Sequence, residues 1–110
     1  MPSSQEAVRE LLLDGVDDWV SLDRIIWAAR QVSESSSADF GDEFRDLLDT
    51  LVRGGLVVPG ELGDSGFERW GGEPGELIAR VIEQAQEFGW APQGAGCWFA
   101  NTELGDRTAG

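Results

Sequence analysis

The single cysteine is the residue of this 110-residue chain best suited to nucleophilic chemistry. Cys97 lies between Gly96 and Trp98 at the start of an apolar stretch. A thiol becomes reactive when a neighbouring base or cation lowers its pKa, and this chain has no His and only Arg as a cation. We therefore predict that Cys97 is packed in the interior, and that the protein is not an enzyme.

Two short clusters of acidic residues could hold a hard cation through carboxylate oxygens. One cluster contains Asp14, Asp17 and Asp18, and the other contains Glu61 and Asp64. Neither has the spacing of a calcium loop, and both stand where helix caps and turns favour short acidic side chains. Paired carboxylates could also hydrolyse a glycoside, but a chain this short has little room for a substrate cleft. The prediction is that the protein holds no metal and no cofactor.

The charge balance indicates the class of partner. The chain carries 21 acidic residues and 8 basic ones, for a formal net charge of −13. That places about two net negative charges on a typical half-interface of ~800 Å². Such a surface repels phosphate and anionic lipid and attracts basic proteins. We expect a basic partner protein and disfavour nucleic acid and membranes, with the alternative that acidity serves solubility alone.

Length and composition indicate one domain over residues 1–110, because 41% apolar residues can close a single core. One cysteine excludes an internal disulfide and suits a reducing compartment. No apolar run approaches the ~20 residues of a bilayer span, and the first residues lack the features of a signal peptide. We therefore expect a cytoplasmic protein.

Apolar periodicity and capping residues predict four helices and two or three short strands. The predicted helices run from Ser3 to Gly15, Leu22 to Val32, Asp39 to Gly54 and Pro74 to Phe88. The predicted strands are Leu56 to Val58, ended by Pro59 and Gly60, an extended piece from Phe67 to Trp70, and Cys97 to Ala100. Residues 33–38 are predicted to be a flexible serine-rich loop, and residues 104–110 a tail.

Two tryptophans have distinct predicted roles. Trp98 is the best candidate for the core, since it lies on a strand between Cys97 and Phe99. Trp19 follows two aspartates, and an aromatic ring bordered by acids suits a partner's arginine, which can stack on it. We therefore predict that Trp19 is an exposed anchor, while the remaining tryptophans pack beneath loops.

Three helices, a strand directly after Gly54-Gly55 and a late strand leading into Thr102 resemble a winged-helix domain. In that family a Gly-Leu-Val pattern commonly follows the third helix, and a Thr-x-x-Gly after the last strand is frequent, here Thr102 to Gly105. The resemblance implies a mainly α fold with a small β-sheet (α+β) and a winged-helix-like three-helix core. The predicted helix from Pro74 departs from the family pattern, as an extra helix between the wing strands.

A second resemblance concerns the run from Pro59 to Leu62, its continuation from Gly66 to Trp70, and the later Trp98 to Thr102. These segments are similar to small acidic bacterial proteins of unassigned role, some of which are immunity proteins that neutralise toxins. This resemblance implies an inhibitor whose partner is a basic toxin.

The predicted third helix opposes DNA binding. In DNA-binding winged-helix members this helix enters the major groove, but here it is dominated by acids, which repel phosphate. We predict a non-enzymatic module that binds a basic partner as an immunity or antitoxin-like inhibitor; alternatively, these acids are merely a solvated helix face. The predicted contact residues are Asp42, Glu43, Asp46, Asp49 and Trp19. The alternative functions are a winged-helix DNA-binding transcriptional regulator and an accessory domain that binds a small apolar ligand.

Overall fold

A computed structural model describes residues 3–110, which form an α+β fold of five α-helices and a four-stranded antiparallel sheet. In chain order the elements are α1 (Ser4–Asp17), β1 (Val20–Ser21), α2 (Leu22–Ser36), α3 (Phe40–Leu48), a π-helical turn (Asp49–Arg53), β2 (Val57–Gly63), β3 (Gly66–Arg69), α4 (Pro74–Glu87), β4 (Trp98–Asn101) and α5 (Glu103–Ala109). Met1 and Pro2 lie outside the described residues.

Side-chain caps begin the first three helices at the residues that the sequence predicts. The side-chain oxygens of Ser3, Ser21 and Asp39 each accept a hydrogen bond, at 3.1–3.2 Å, from the backbone N–H three residues further on. Each bond satisfies one of the backbone donors that a helix start leaves without a partner. Pro74 lies in the first turn of α4, where its missing N–H costs no helical hydrogen bond.

The predicted serine-rich loop at residues 33–38 is wrong over its first four residues, because α2 continues to Ser36. The Ser33 hydroxyl donates to the carbonyl of Ala38 at 2.6 Å, and the Ser36 hydroxyl donates to the carbonyl four residues before it at 2.8 Å. Serine hydroxyls that bond to nearby carbonyls are compatible with a helix end. The helix stops at Ser37, whose φ of +59° is left-handed.

The predicted tail at residues 104–110 is also wrong, because this segment lies in α5. The Thr102 hydroxyl accepts from the Gly105 N–H at 3.1 Å and donates to the Gly55 carbonyl at 2.6 Å. The Thr102 N–H donates to the Leu56 carbonyl at 2.9 Å. A Cβ on Gly105 would overlap that same carbonyl oxygen. The Thr-x-x-Gly motif therefore caps α5 and ties it to the turn that precedes β2.

The strands lie in the order β1-β4-β2-β3, and every pair is antiparallel. The predicted end of β2 at Pro59 and Gly60 is wrong, because the strand continues to Gly63. The Pro59 carbonyl accepts from the N–H of Trp70, the residue just beyond β3. The backbone nitrogen of Pro59 points to the same side of β2 as this carbonyl. Proline has no N–H to donate, and none is needed here because the paired residues of β2 and β3 begin at Gly60.

Helices cover one face of the sheet. Val20, Val57, Pro59 and Phe99 are buried on this face, and among their strand neighbours only Gly60 is also buried, beneath the Phe67 ring on the other face. Val20, Val57 and Phe99 join a single cluster to which every helix contributes. Large helical residues in this cluster include Leu11, Leu12, Leu22, Ile25, Phe44, Leu47, Leu48, Ile78 and Val81.

The Thr102 cap generates a stability prediction. Thr102→Val keeps the side-chain shape but removes the cap and the bond to the Gly55 carbonyl, so we expect a loss of about 1–2 kcal/mol in the free energy of unfolding. Urea denaturation measures it. Thr108→Val is the matched control, since the exposed Thr108 hydroxyl bonds only to the Leu104 carbonyl within α5. Equal stability of the two variants would contradict a structural role for the motif.

Candidate protein-binding surfaces

The predicted acidic stripe lies along α3 and the π-helical turn that follows it. Asp42, Asp46 and Asp49 are spaced so that they share one helical face. Asp42 and Asp46 are exposed, and neither forms an ion pair within residues 3–110. These two carboxylates are available to an external cation.

The other two predicted acids of the stripe already have partners in the molecule. Asp49 Oδ1 lies 3.6 Å from Nε of Arg53 in an exposed pair, and the half-buried Glu43 accepts from the Ser4 hydroxyl at 3.2 Å. Exposed pairs of this kind are weak, so Asp49 can exchange Arg53 for another cation. Arg45 is exposed on the same helix and lowers the local negative charge.

An aromatic cleft of about 180 Å³ borders this stripe between α3 and α4. Its walls include Asp39, Asp42, Phe44, Arg45, Ile82 and Trp90. The Trp90 ring meets Phe40 and Phe44 edge-on, with centroids 5.0 and 5.2 Å apart, and the Arg30 guanidinium lies 4.7 Å above Phe40. These rings are packed against one another, which confirms the predicted packing role of Trp90.

Trp19 lies on the sheet, at the residue before β1, and not on α3. Its side chain is 41% exposed and its ring stacks on Phe67 of β3 with centroids 6.1 Å apart. The ring also comes within ordinary contact distance of a Cβ built on Gly66. Trp19 therefore reaches from one edge of the sheet towards the other, on the face that the helices leave uncovered.

Most side chains on that uncovered face are apolar, although Ser21 and Arg69 also lie on it. Cross-strand partners share a face, which places Val58 with Ala100 and Leu62 with Phe67. The Phe67 ring lies over Gly60, where any Cβ would come within 2.7 Å of it. We define the outer sheet face as the half-buried or exposed side chains of Trp19, Val58, Leu62, Phe67, Trp98 and Ala100.

The prediction that Trp98 belongs to the core is wrong, because Trp98 is half-buried on the outer sheet face. The strand period of two turns Cys97 and Phe99 inward, so the residue between them points outward. The buried tryptophan is instead Trp70, and the Arg80 guanidinium lies 3.7 Å from the centroid of the Trp70 ring. Because residues 97–100 are all apolar, the sequence does not show which of them face the core.

An open cavity of about 390 Å³ borders the outer sheet face beside Trp19. Its lining includes the exposed carboxylates of Asp17, Asp18 and Asp106, which form no ion pairs within the described chain. Asp106 accepts one hydrogen bond, from the Asn101 amide at 3.0 Å. The cavity thus combines an aromatic wall with unpaired negative charge, and sequence reasoning missed the contribution of Asp106.

The two predicted acidic clusters are not preserved as units. Asp14 pairs with Arg24 at 2.8 Å, and Glu61 pairs with Arg80 at 3.8 Å. Within residues 3–110, no three acidic or thiol side chains are grouped closely enough to hold a metal ion.

Cys97 is buried beneath the sheet edge, and its backbone N–H donates to Gln84 Oε1 at 2.6 Å. Burial raises the pKa of the Cys97 thiol to about 12, since the apolar surroundings disfavour the thiolate. A thiol with this pKa is protonated at neutral pH and is a poor nucleophile.

No family model, curated protein or solved structure matches this chain. None of the helices in the described part of the chain is long and apolar enough to cross a membrane.

The buried thiol predicts an alkaline instability. The folded-state pKa of about 12 exceeds the ordinary value of 9.0, so the stability that protonated Cys97 contributes is complete below pH 9 and is lost between pH 9 and 12. The loss should approach roughly 1 kcal/mol per pH unit. Urea denaturation at several pH values measures it, and the absence of Lys and Tyr leaves few other groups that titrate there. Cys97→Ala should remove this slope; an unchanged slope would contradict the assignment.

Proposed function

We propose that this protein is a non-enzymatic binding module for a basic partner protein. The observation that carries the proposal is that the acidic excess is not neutralised internally. Among residues 3–110 only five acids form ion pairs, namely Glu10, Asp14, Asp49, Glu61 and Glu103. The remaining negative charge faces solvent, where it attracts cations on another protein and accelerates their encounter.

The acidic stripe on α3 is the first surface that we assign to the partner. Asp42 and Asp46 supply the unpaired carboxylates, while Glu43 and Asp49 extend the same negative field. The neighbouring aromatic cleft offers apolar walls for the hydrocarbon part of an arginine or lysine side chain. Charge and shape together favour a cationic side chain over an anionic ligand.

The strand order supports a winged-helix interpretation of the three-helix core. A short strand between α1 and α2 pairs with β4, and β4 pairs with the strand that follows α3. The α4 helix is then an insertion between β3 and β4. In this interpretation α3 corresponds to the DNA-reading helix, but its acids oppose phosphate contacts.

An inhibitory role follows from the same charge. If the partner is a basic toxin that acts on nucleic acid, the carboxylates of α3 would occupy the surface that otherwise accepts phosphate. We therefore favour an immunity or antitoxin-like inhibitor acting in the cytoplasm over a DNA-binding regulator.

The test uses two probes, a labelled polyarginine peptide and a duplex oligonucleotide. We expect the native protein to bind the peptide and not the duplex at ~100 mM salt. Asp42→Asn with Asp46→Asn should weaken peptide binding about five- to ten-fold, measured by fluorescence anisotropy, because two contact charges are lost.

The control variant removes the same number of negative charges from another helix, α4. Glu83→Gln with Glu87→Gln removes two exposed, unpaired acids from α4 and should change the affinity less than about two-fold. Equal weakening by the two double variants would contradict a specific role for α3. Tight retention of the duplex would overturn the proposal in favour of a DNA-binding regulator.

A further inference from the structure

We infer that the outer sheet face is a second docking surface, and that it takes a segment of the partner presenting an arginine next to apolar side chains. The inference rests on the proposed function, since it assumes that the partner is basic. The outer sheet face shares no residue with the acidic stripe on α3.

The apolar part of the surface has no cover in the described chain. Trp19 and Leu62 are 41% and 44% exposed, and Phe67 and Trp98 are half-buried beside them. Helices pack only against the opposite face, which holds buried residues such as Phe99. A contiguous exposed patch of aromatic and aliphatic side chains is typical of a protein-binding site.

Charge complementarity selects the occupant. The cavity beside Trp19 is bordered by Asp17, Asp18 and Asp106, whose carboxylates lack ion-pair partners within residues 3–110. A guanidinium can stack on the exposed indole of Trp19 and donate to these carboxylates at the same time. Apolar neighbours of that arginine would then cover Val58 and the adjacent side chains of the face.

The same charges disfavour a second copy of this chain as the occupant. Two copies joined through this face would bring their Asp17 and Asp18 carboxylates together, and each copy carries a net charge of −13. Like charges opposed in this way repel one another. Anionic lipid is disfavoured for the same reason.

A second exposed tryptophan provides an internal control. Trp27 on α2 is 53% exposed, more than Trp19, so the prediction that it packs beneath a loop is wrong; the Arg24 guanidinium lies 5.1 Å from the centroid of its ring. Arg24 also pairs with Asp14, and Asp23, one turn before Trp27 on α2, accepts hydrogen bonds from the backbone N–H groups of Gln93 and Gly94. Trp27 therefore offers exposure without free negative charge.

The experiment titrates the full chain with a peptide that alternates arginine and valine, followed by ¹H–¹⁵N correlation spectra. We expect the indole N–H signals of Trp19 and Trp98 to shift, while that of Trp27 stays in place. Trp19→Ala should weaken the affinity for the peptide about ten-fold, and Trp27→Ala should weaken it less than about two-fold. Asp17→Asn with Asp18→Asn should weaken it about five-fold and reduce its salt dependence.

The outcomes separate this inference from the proposed function. Binding that depends on Asp42 and Asp46 but not on Trp19, Asp17 or Asp18 overturns the inference and leaves the proposed function standing. Equal shifts of Trp27, equal binding of an arginine–glycine peptide, or dimerisation through this face seen by sedimentation also overturn it. Failure of every cationic peptide to bind would instead defeat the proposed function.

The asparagine variants keep the test valid if Trp19→Ala fails to fold, which circular dichroism reports. Both aspartates are exposed, and their replacement removes charge without removing packed atoms. Loss of peptide binding in a folded Asp17→Asn, Asp18→Asn protein supports the inference, and unchanged binding overturns it.

Discussion

The structure depends on a four-stranded sheet that helices cover on one face only. Because strand side chains alternate between faces, this arrangement sends Phe99 and Pro59 into the core and leaves Trp98 and Phe67 facing outward. Most soluble antiparallel sheets with one uncovered face make that face polar. Here it is mainly aromatic and aliphatic, a feature that the proposed partner would explain.

In the proposed function, electrostatics selects the kind of partner. Four arginines pair with acids elsewhere, for example Arg24 with Asp14 and Arg80 with Glu61, and within residues 3–110 none pairs with Asp17, Asp18 or Asp106 beside Trp19. The unpaired carboxylates remain well hydrated when no partner is present, so they cost little stability. They bind a cation strongly only where an apolar surface excludes water, and the outer sheet face and the aromatic cleft both supply that condition.

Local signals predicted the starts of α1, α2 and α3, because a capping side chain and its N–H are three residues apart in the sequence. Long-range features were not predictable in this way. The residue opposite Trp98 depends on how β2 and β4 pair, and the role of Asp106 depends on α5 folding back beside α1. The Thr-x-x-Gly motif was recognised as a pattern, but its tie to the turn before β2 depends on the Gly55 carbonyl, which is distant in sequence. The acidic stripe on α3 was predictable because helical periodicity alone sets it.

The central claim is that unpaired carboxylates beside exposed aromatic rings attract a cationic protein segment. The association rate constant of an arginine–valine peptide, followed by tryptophan fluorescence in stopped flow at increasing salt, tests it most directly. We expect the rate constant to fall by roughly ten-fold between ~20 and ~150 mM salt, as electrostatic steering is screened. A rate that does not change over this range would contradict it.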